Sequence, residues 1–220
     1  MFFHHLQNLY RTLDFDSMQD ILLRTAAVLL CLTVHETCHG LAAWALGDPT
    51  AKARRRLSLN PLRHIDWLGL ALMLVVGFGW AKPVPVDPRY FRKPKQGMAL
   101  TALAGPASNF VLAFLALLLG KAVYLYAPYR LGWNLVFEFL LYSVAPLSIG
   151  LGLFNLLPIP PLDGAKVAGG LLPDDVYFRI MRFERYGMLL LLALSYFGLT
   201  GNLIGDLIYR TYSAMFHLVF

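Results

Sequence analysis

Charge is scarce in this chain, and so is cysteine. Charged residues make up 15% of the 220 positions, against ~25% in an ordinary soluble domain. That excludes a water-soluble globule with a conventional polar shell. Cys31 and Cys38 are the only cysteines. Seven positions apart on one helix, they stand ~10 Å apart along its axis, beyond disulfide reach. Both read as small, reduced residues, with a thiolate ligand at Cys38 as the alternative. No polar tract interleaves basic residues with aromatics, so the net charge of +6 speaks against a nucleic-acid partner and for basic loops facing anionic lipid. Internal repeats and low-complexity tracts are absent, and nothing marks off a separate soluble domain; a single domain over 1–220 is expected. The first twenty residues carry His4, His5, Arg11, Asp14, Asp16 and Asp20 without a continuous apolar core, so no signal peptide is expected there.

Apolar residues, by contrast, fill 58% of the chain. Several stretches approach the ~20 residues needed to cross a ~30 Å hydrocarbon core. Backbone groups in lipid must be satisfied within helices or closed barrels, so the fold class is all-α, a polytopic transmembrane bundle. Four spans are expected, about 18–46, 98–126, 131–157 and 186–209. Gly47-Asp48-Pro49 is a stop signal for the first. The stretch 67–80 has about fourteen residues and three glycines, too short for a full crossing and suited to re-entry. Alternating prolines at 83, 85 and 88 then favour an extended, β-like loop.

Basic residues cluster in 52–63, 82–95 and 166–185, and basic loops are cytoplasmic. All three share one side only if 67–80 enters and leaves by the same face. The chain is therefore expected in a prokaryotic inner membrane, with the segments bearing His39 and Asp163 in the cytoplasmic half.

The run His35-Glu36-Thr37-Cys38-His39 lies near the end of the first span. Two histidines four apart on a helix lie ~6 Å apart along its axis and ~40° apart around it, so both reach one metal ion. Glu36 occupies the place that zinc peptidases give to the general base. Ionisable groups in a membrane interior are costly and mark function, which argues against His35 and His39 as mere hydrogen-bonded bundle residues. Asp163 sits where Pro158, Pro160 and Pro161 break the third span, and either ligates metal or caps a helix starting at Gly164.

With these pieces in hand, the chain resembles the site-2 protease family of intramembrane zinc metalloproteases over almost its whole length. The resemblance rests on four motifs in the family's order: His35 to Gly40, Gly79 to Val86, Gly105-Pro106-Ala107-Ser108-Asn109, and Asn155 to Gly164. It implies one Zn2+ held by His35, His39 and Asp163, a catalytic Glu36, transmembrane protein substrates within the lipid bilayer, and a Pro-Val loop near the substrate. It also implies a minimal, core-only member and regulated intramembrane proteolysis as the activity. Two histidines and a carboxylate leave a fourth tetrahedral position open, as in catalytic rather than structural zinc sites. Asn109 and Asn155 are candidates for substrate binding, with interhelical hydrogen bonding as the alternative. Gly105 and Pro106 read as close-packing residues, and His64 as interfacial. Asp66, Lys82 and Lys166 are candidates for a polar route that admits water. A zinc transporter or sensor without peptidase activity, and a zinc hydrolase of lipids, are the rival functions.

Overall fold

The computed structural model describes residues 18–76, 82–127, 132–181, 187, 191, 193 and 201–220. Among these the chain is all-helical, with no strand. Helix α1 spans Met18–Ala45 and ends as its sequence requires. Gly47 adopts φ +104, its N–H bonds to the Trp44 carbonyl, and the Asp48 N–H bonds to Ala43. This pair of bonds is a Schellman stop, which needs the left-handed backbone that glycine accepts without strain.

Helix α2, Trp67–Val76, has ten residues, or ~15 Å, about half of a hydrocarbon core. Asp66 caps it by accepting from Gly69 N–H at 2.9 Å. The rest of the expected re-entrant stretch, 77–80, lies outside the described residues. On either side of it, the Lys82 N–H donates to the His64 carbonyl at 2.9 Å. The segment 82–87 forms no β ladder, and the reason is chemical: Pro83 and Pro85 have no N–H to donate.

Helix α3, Pro94–Tyr126, runs for 33 residues, ~50 Å. It starts four residues before the expected span, with Pro94 in the first turn, where a missing N–H costs nothing. Helix α4, Trp133–Asn155, completes a set of three described helices long and apolar enough to cross a membrane. Its middle, Phe139–Val144, is a π-helical turn just before Pro146. Such a turn absorbs the backbone disruption that a helix-interior proline creates. Three shorter helices follow: α5 (Asp163–Leu171), α6 (Asp174–Met181) and α7 (Gly201–Val219). Half of the expected fourth span, 186–209, lies outside the described residues. Its end is helical and continues past Tyr209 to Val219 as the amphipathic α7.

The packing is that of a membrane bundle. Small residues line the buried seam between α1, α3 and α4 (Ala27, Cys31, Ala113, Ala116, Ala145), filled in by Leu117, Leu141 and Ile149. A Cβ at Gly120 would lie 2.0 Å from Leu141 Cδ1, so glycine sets the approach of α3 to α4 there. Large apolar side chains face outwards instead, including the stripe Val111, Leu115 and Leu119 on α3. In water such a stripe would be a liability; in lipid it is the contact surface. Cys31 and Cys38 are both free thiols.

Candidate metal centre and its cavity

His35 and His39 stand ten and six residues before the end of α1, ~15 and ~9 Å below it. Their Nε2 atoms face each other at 3.0 Å. Asp163 Oδ2 closes the triangle, 3.2 Å from His35 Nε2 and 3.0 Å from His39 Nε2. All three residues are buried. Asp163 does not cap α5: it is the first helical residue, after Leu162, and its side chain makes no cap bond. The prolines of 158–161 end α4, and Gly164 lets α5 begin hard against the turn they make. A Cβ on Gly164 would meet the Leu156 carbonyl oxygen at 2.2 Å.

The donor set fits zinc. Ligands ~2.0–2.2 Å from a tetrahedral zinc ion lie about 3.3–3.5 Å from one another, close to the separations here. His39 Nδ1 donates to the Thr101 carbonyl at 2.7 Å, which leaves its Nε2 as a lone pair. Asn109 touches the back of His35, with its amide 3.1 Å from Nδ1. Between them, Gly105 leaves room for both rings: a Cβ there would stand 2.4 Å from His39 Nε2 and 2.7 Å from His35 Cε1. Residues 101, 105 and 109 are spaced by four, so one face of α3 backs the whole ligand pair. Gly105 thus lets α3 pack closely on α1, and what it faces there is the pair of imidazole rings.

Glu36 accepts from the Val84 N–H at 2.8 Å through Oε2. Val84 is held in turn by Arg56, whose Nη2 donates to the Lys82 carbonyl at 2.6 Å. Asp48, fully buried, ties the same region down: its two oxygens accept from the Thr50 and Asp87 N–H groups at 2.8 and 2.7 Å. The sequence assigned Thr101 and Arg56 no role at the site and marked Asp48 only as part of a helix stop, because each of these bonds uses a main-chain group on one side.

His35, Glu36, His39 and Asp163 all border one cavity of about 820 Å3, walled by apolar side chains including Leu147, Leu151, Phe154 and Ile208. Asn155 lines it as well, its Nδ2 donating to the Leu151 carbonyl at 2.9 Å. Asn109 does not; it is 0% exposed behind His35. Of the three residues expected on a polar route for water, Lys166 borders the cavity. Asp66 instead caps α2, and the Lys82 backbone bonds to His64. His64 is buried rather than interfacial, with Nε2 donating to the Ser58 carbonyl at 2.7 Å. Cys38 is not among the three residues that could share an ion.

Two histidines, one carboxylate, an open side and a neighbouring glutamate are what a hydrolytic zinc centre requires. Comparison with known proteins agrees. The model of a family described as Peptidase family M50 matches residues 129–194. The protein of Bacillus subtilis (strain 168) named "Putative zinc metalloprotease YwhC" is 40% identical over 172 residues, which cover 76% of this chain and 77% of that one. Rip2 of Mycolicibacterium smegmatis, likewise named a zinc metalloprotease, is 30% identical over 174 residues, 77% of this chain and 64% of its own length. No solved structure matches the chain. The chain belongs to the M50 family, the site-2 proteases, and is a multi-pass membrane zinc metalloprotease.

Proposed function

We propose that this protein is an intramembrane endopeptidase that hydrolyses peptide bonds within or beside the transmembrane helices of its substrates. The observation that carries this reading is the position of Glu36 and the ligand triangle on an 820 Å3 cavity with apolar walls. The walls come largely from α1, α3 and α4, the helices of spanning length. A helix in lipid must be unwound before its backbone can be cut, and a cavity of this volume has room for several unwound residues.

His35, His39 and Asp163 would hold the zinc ion. When bound, zinc polarises a carbonyl and brings the pKa of water near ~7. Glu36 takes the proton of the attacking water and passes it to the leaving amine. The Val84 N–H holds one Glu36 oxygen at 2.8 Å, leaving the other to do the transfer. Asn155 presents its second amide hydrogen to a substrate carbonyl. The apolar walls exclude bulk water, which strengthens each of these interactions.

In this reading the active site lies in the cytoplasmic half of a prokaryotic inner membrane. The bond from Lys82 to His64 supports this, since it returns the basic loops 52–63 and 82–95 to the same level. Re-entry of 67–80 into the bilayer is part of the same reading, supported by that bond and by the ten-residue length of α2.

The test is Glu36→Gln in purified protein with a panel of transmembrane peptides in liposomes. Zinc content should equal that of the native enzyme while cleavage falls at least ~100-fold. Retained cleavage would end the general-base assignment. Zinc flux across the liposome without peptide cleavage by the native protein would favour a transporter.

A further inference from the structure

A ligand histidine binds metal through one ring nitrogen, so something must hold its single proton on the other. For His39 that partner is visible. The Thr101 carbonyl can only accept, so the proton is at Nδ1 and Nε2 is free. For His35 the partner of Nδ1 is the side-chain amide of Asn109 at 3.1 Å. An amide can either donate or accept, and its oxygen and nitrogen are alike in shape.

With the nitrogen facing His35, Nδ1 must accept and the imidazole proton moves to Nε2. That proton would then point into the ligand triangle, where His39 Nε2 lies at 3.0 Å and Asp163 Oδ2 at 3.2 Å. The same orientation leaves the Asn109 oxygen buried without any hydrogen-bond partner. Turning the amide over puts that oxygen on the His35 Nδ1–H. The oxygen gains a donor in exchange for the amide nitrogen, which takes the unpartnered place, and His35 Nε2 becomes a lone pair aimed at the ion.

We propose that Asn109 faces His35 with its amide oxygen and thereby selects the tautomer in which His35 binds zinc. Asn109 is then a positioning residue that acts through His35, and its role is metal affinity rather than substrate contact. Its burial agrees, since no part of it borders the cavity. Its backbone is pinned from the opposite side, where the Ser148 hydroxyl donates to the Asn109 carbonyl at 2.8 Å. Helices α3 and α4 thus hold the amide in place before any metal arrives. Partners of this kind typically govern 10–100-fold in metal affinity.

The inference rests on the zinc reading above, and the experiment separates the two. Zinc affinity is measured by graded chelator competition on the purified full-length holoenzyme and its N109D, N109L and H35A variants. An aspartate at 109 can only accept. N109D should bind zinc as tightly as the native protein or more tightly, and N109L should bind about 10–100-fold more weakly. N109L matching the native affinity overturns the proposal. So does N109D weakening zinc as much as N109L, because an acceptor should suffice. If N109L does not fold, N109D decides alone: undiminished affinity supports the proposal and weakened affinity defeats it. Retention of zinc by H35A would defeat the ligand assignment itself, whatever Asn109 does.

Discussion

Val84 and Glu36, 48 positions apart, are joined by one hydrogen bond of 2.8 Å from a backbone N–H to a carboxylate oxygen. Val84 lies between Pro83 and Pro85, neither of which has an N–H. The tripeptide therefore offers a single donor, and Glu36 receives it. The prolines also restrict the backbone around that donor, so the loop acts as a rigid holder for the candidate general base.

Val84→Pro removes the donor and little else. A hydrogen bond to a charged group contributes about 1.5–3 kcal/mol, which translates to roughly a 10–100-fold loss in kcat at unchanged zinc content. Val84→Ala, which keeps the N–H, should stay within a few-fold of the native enzyme. Peptide-cleavage kinetics with parallel metal analysis make the comparison. Native turnover by the proline variant would remove Val84 from the account.

Gly105→Ala should weaken zinc binding without replacing a ligand. Its added methyl would sit 2.4 Å from His39 Nε2, while alanine favours the helix more than glycine does. Circular dichroism should show native helicity, and chelator competition a zinc affinity at least ~10-fold weaker. Unchanged affinity would mean that the two helices part easily.

Asp48→Ala leaves the Thr50 and Asp87 N–H groups without their acceptor in a buried place. The expected cost is about 2–3 kcal/mol, read as an unfolding temperature several degrees lower. Asp48→Asn keeps one acceptor oxygen and should recover part of the loss. An unshifted transition for both variants would show that the loop is held elsewhere.

Sidedness can be read by thiol labelling in a Cys31→Ala, Cys38→Ala background. Leu59, Tyr90 and Tyr126 are 73%, 54% and 85% exposed. Cysteines placed at 59 and 90 should react with a membrane-impermeant reagent from one and the same side, and a cysteine at 126 from the other. Labelling of 59 and 90 from opposite sides would require 67–80 to cross completely and would dismantle the proposed topology.

Much of the architecture was legible because its signals are local. The helical repeat alone puts His35 and His39 on one face, and Gly47-Asp48-Pro49 stops α1 where a left-handed turn is needed. The loop expected to be extended around prolines 83, 85 and 88 joins no strand among the described residues, since a proline that favours extended backbone also denies a ladder its donor. The boundaries moved where flanking chemistry allowed, as at Pro94, whose ring fits a first helical turn.

The sequence by itself determined that two imidazoles and a glutamate lie together on an apolar helix, because spacing along a helix needs no information beyond the chain. Only the tertiary structure decided what stands behind them. Thr101 reaches His39 through a carbonyl, 62 positions away, and Val84 reaches Glu36 through an amide. Main-chain groups are the same in every residue but proline, so no side-chain pattern announces which of them a fold will use. The role of Asn109 was hidden for a related reason: its side chain is informative, but whether it faces a substrate or the back of a ligand depends on how α3 is turned against α1.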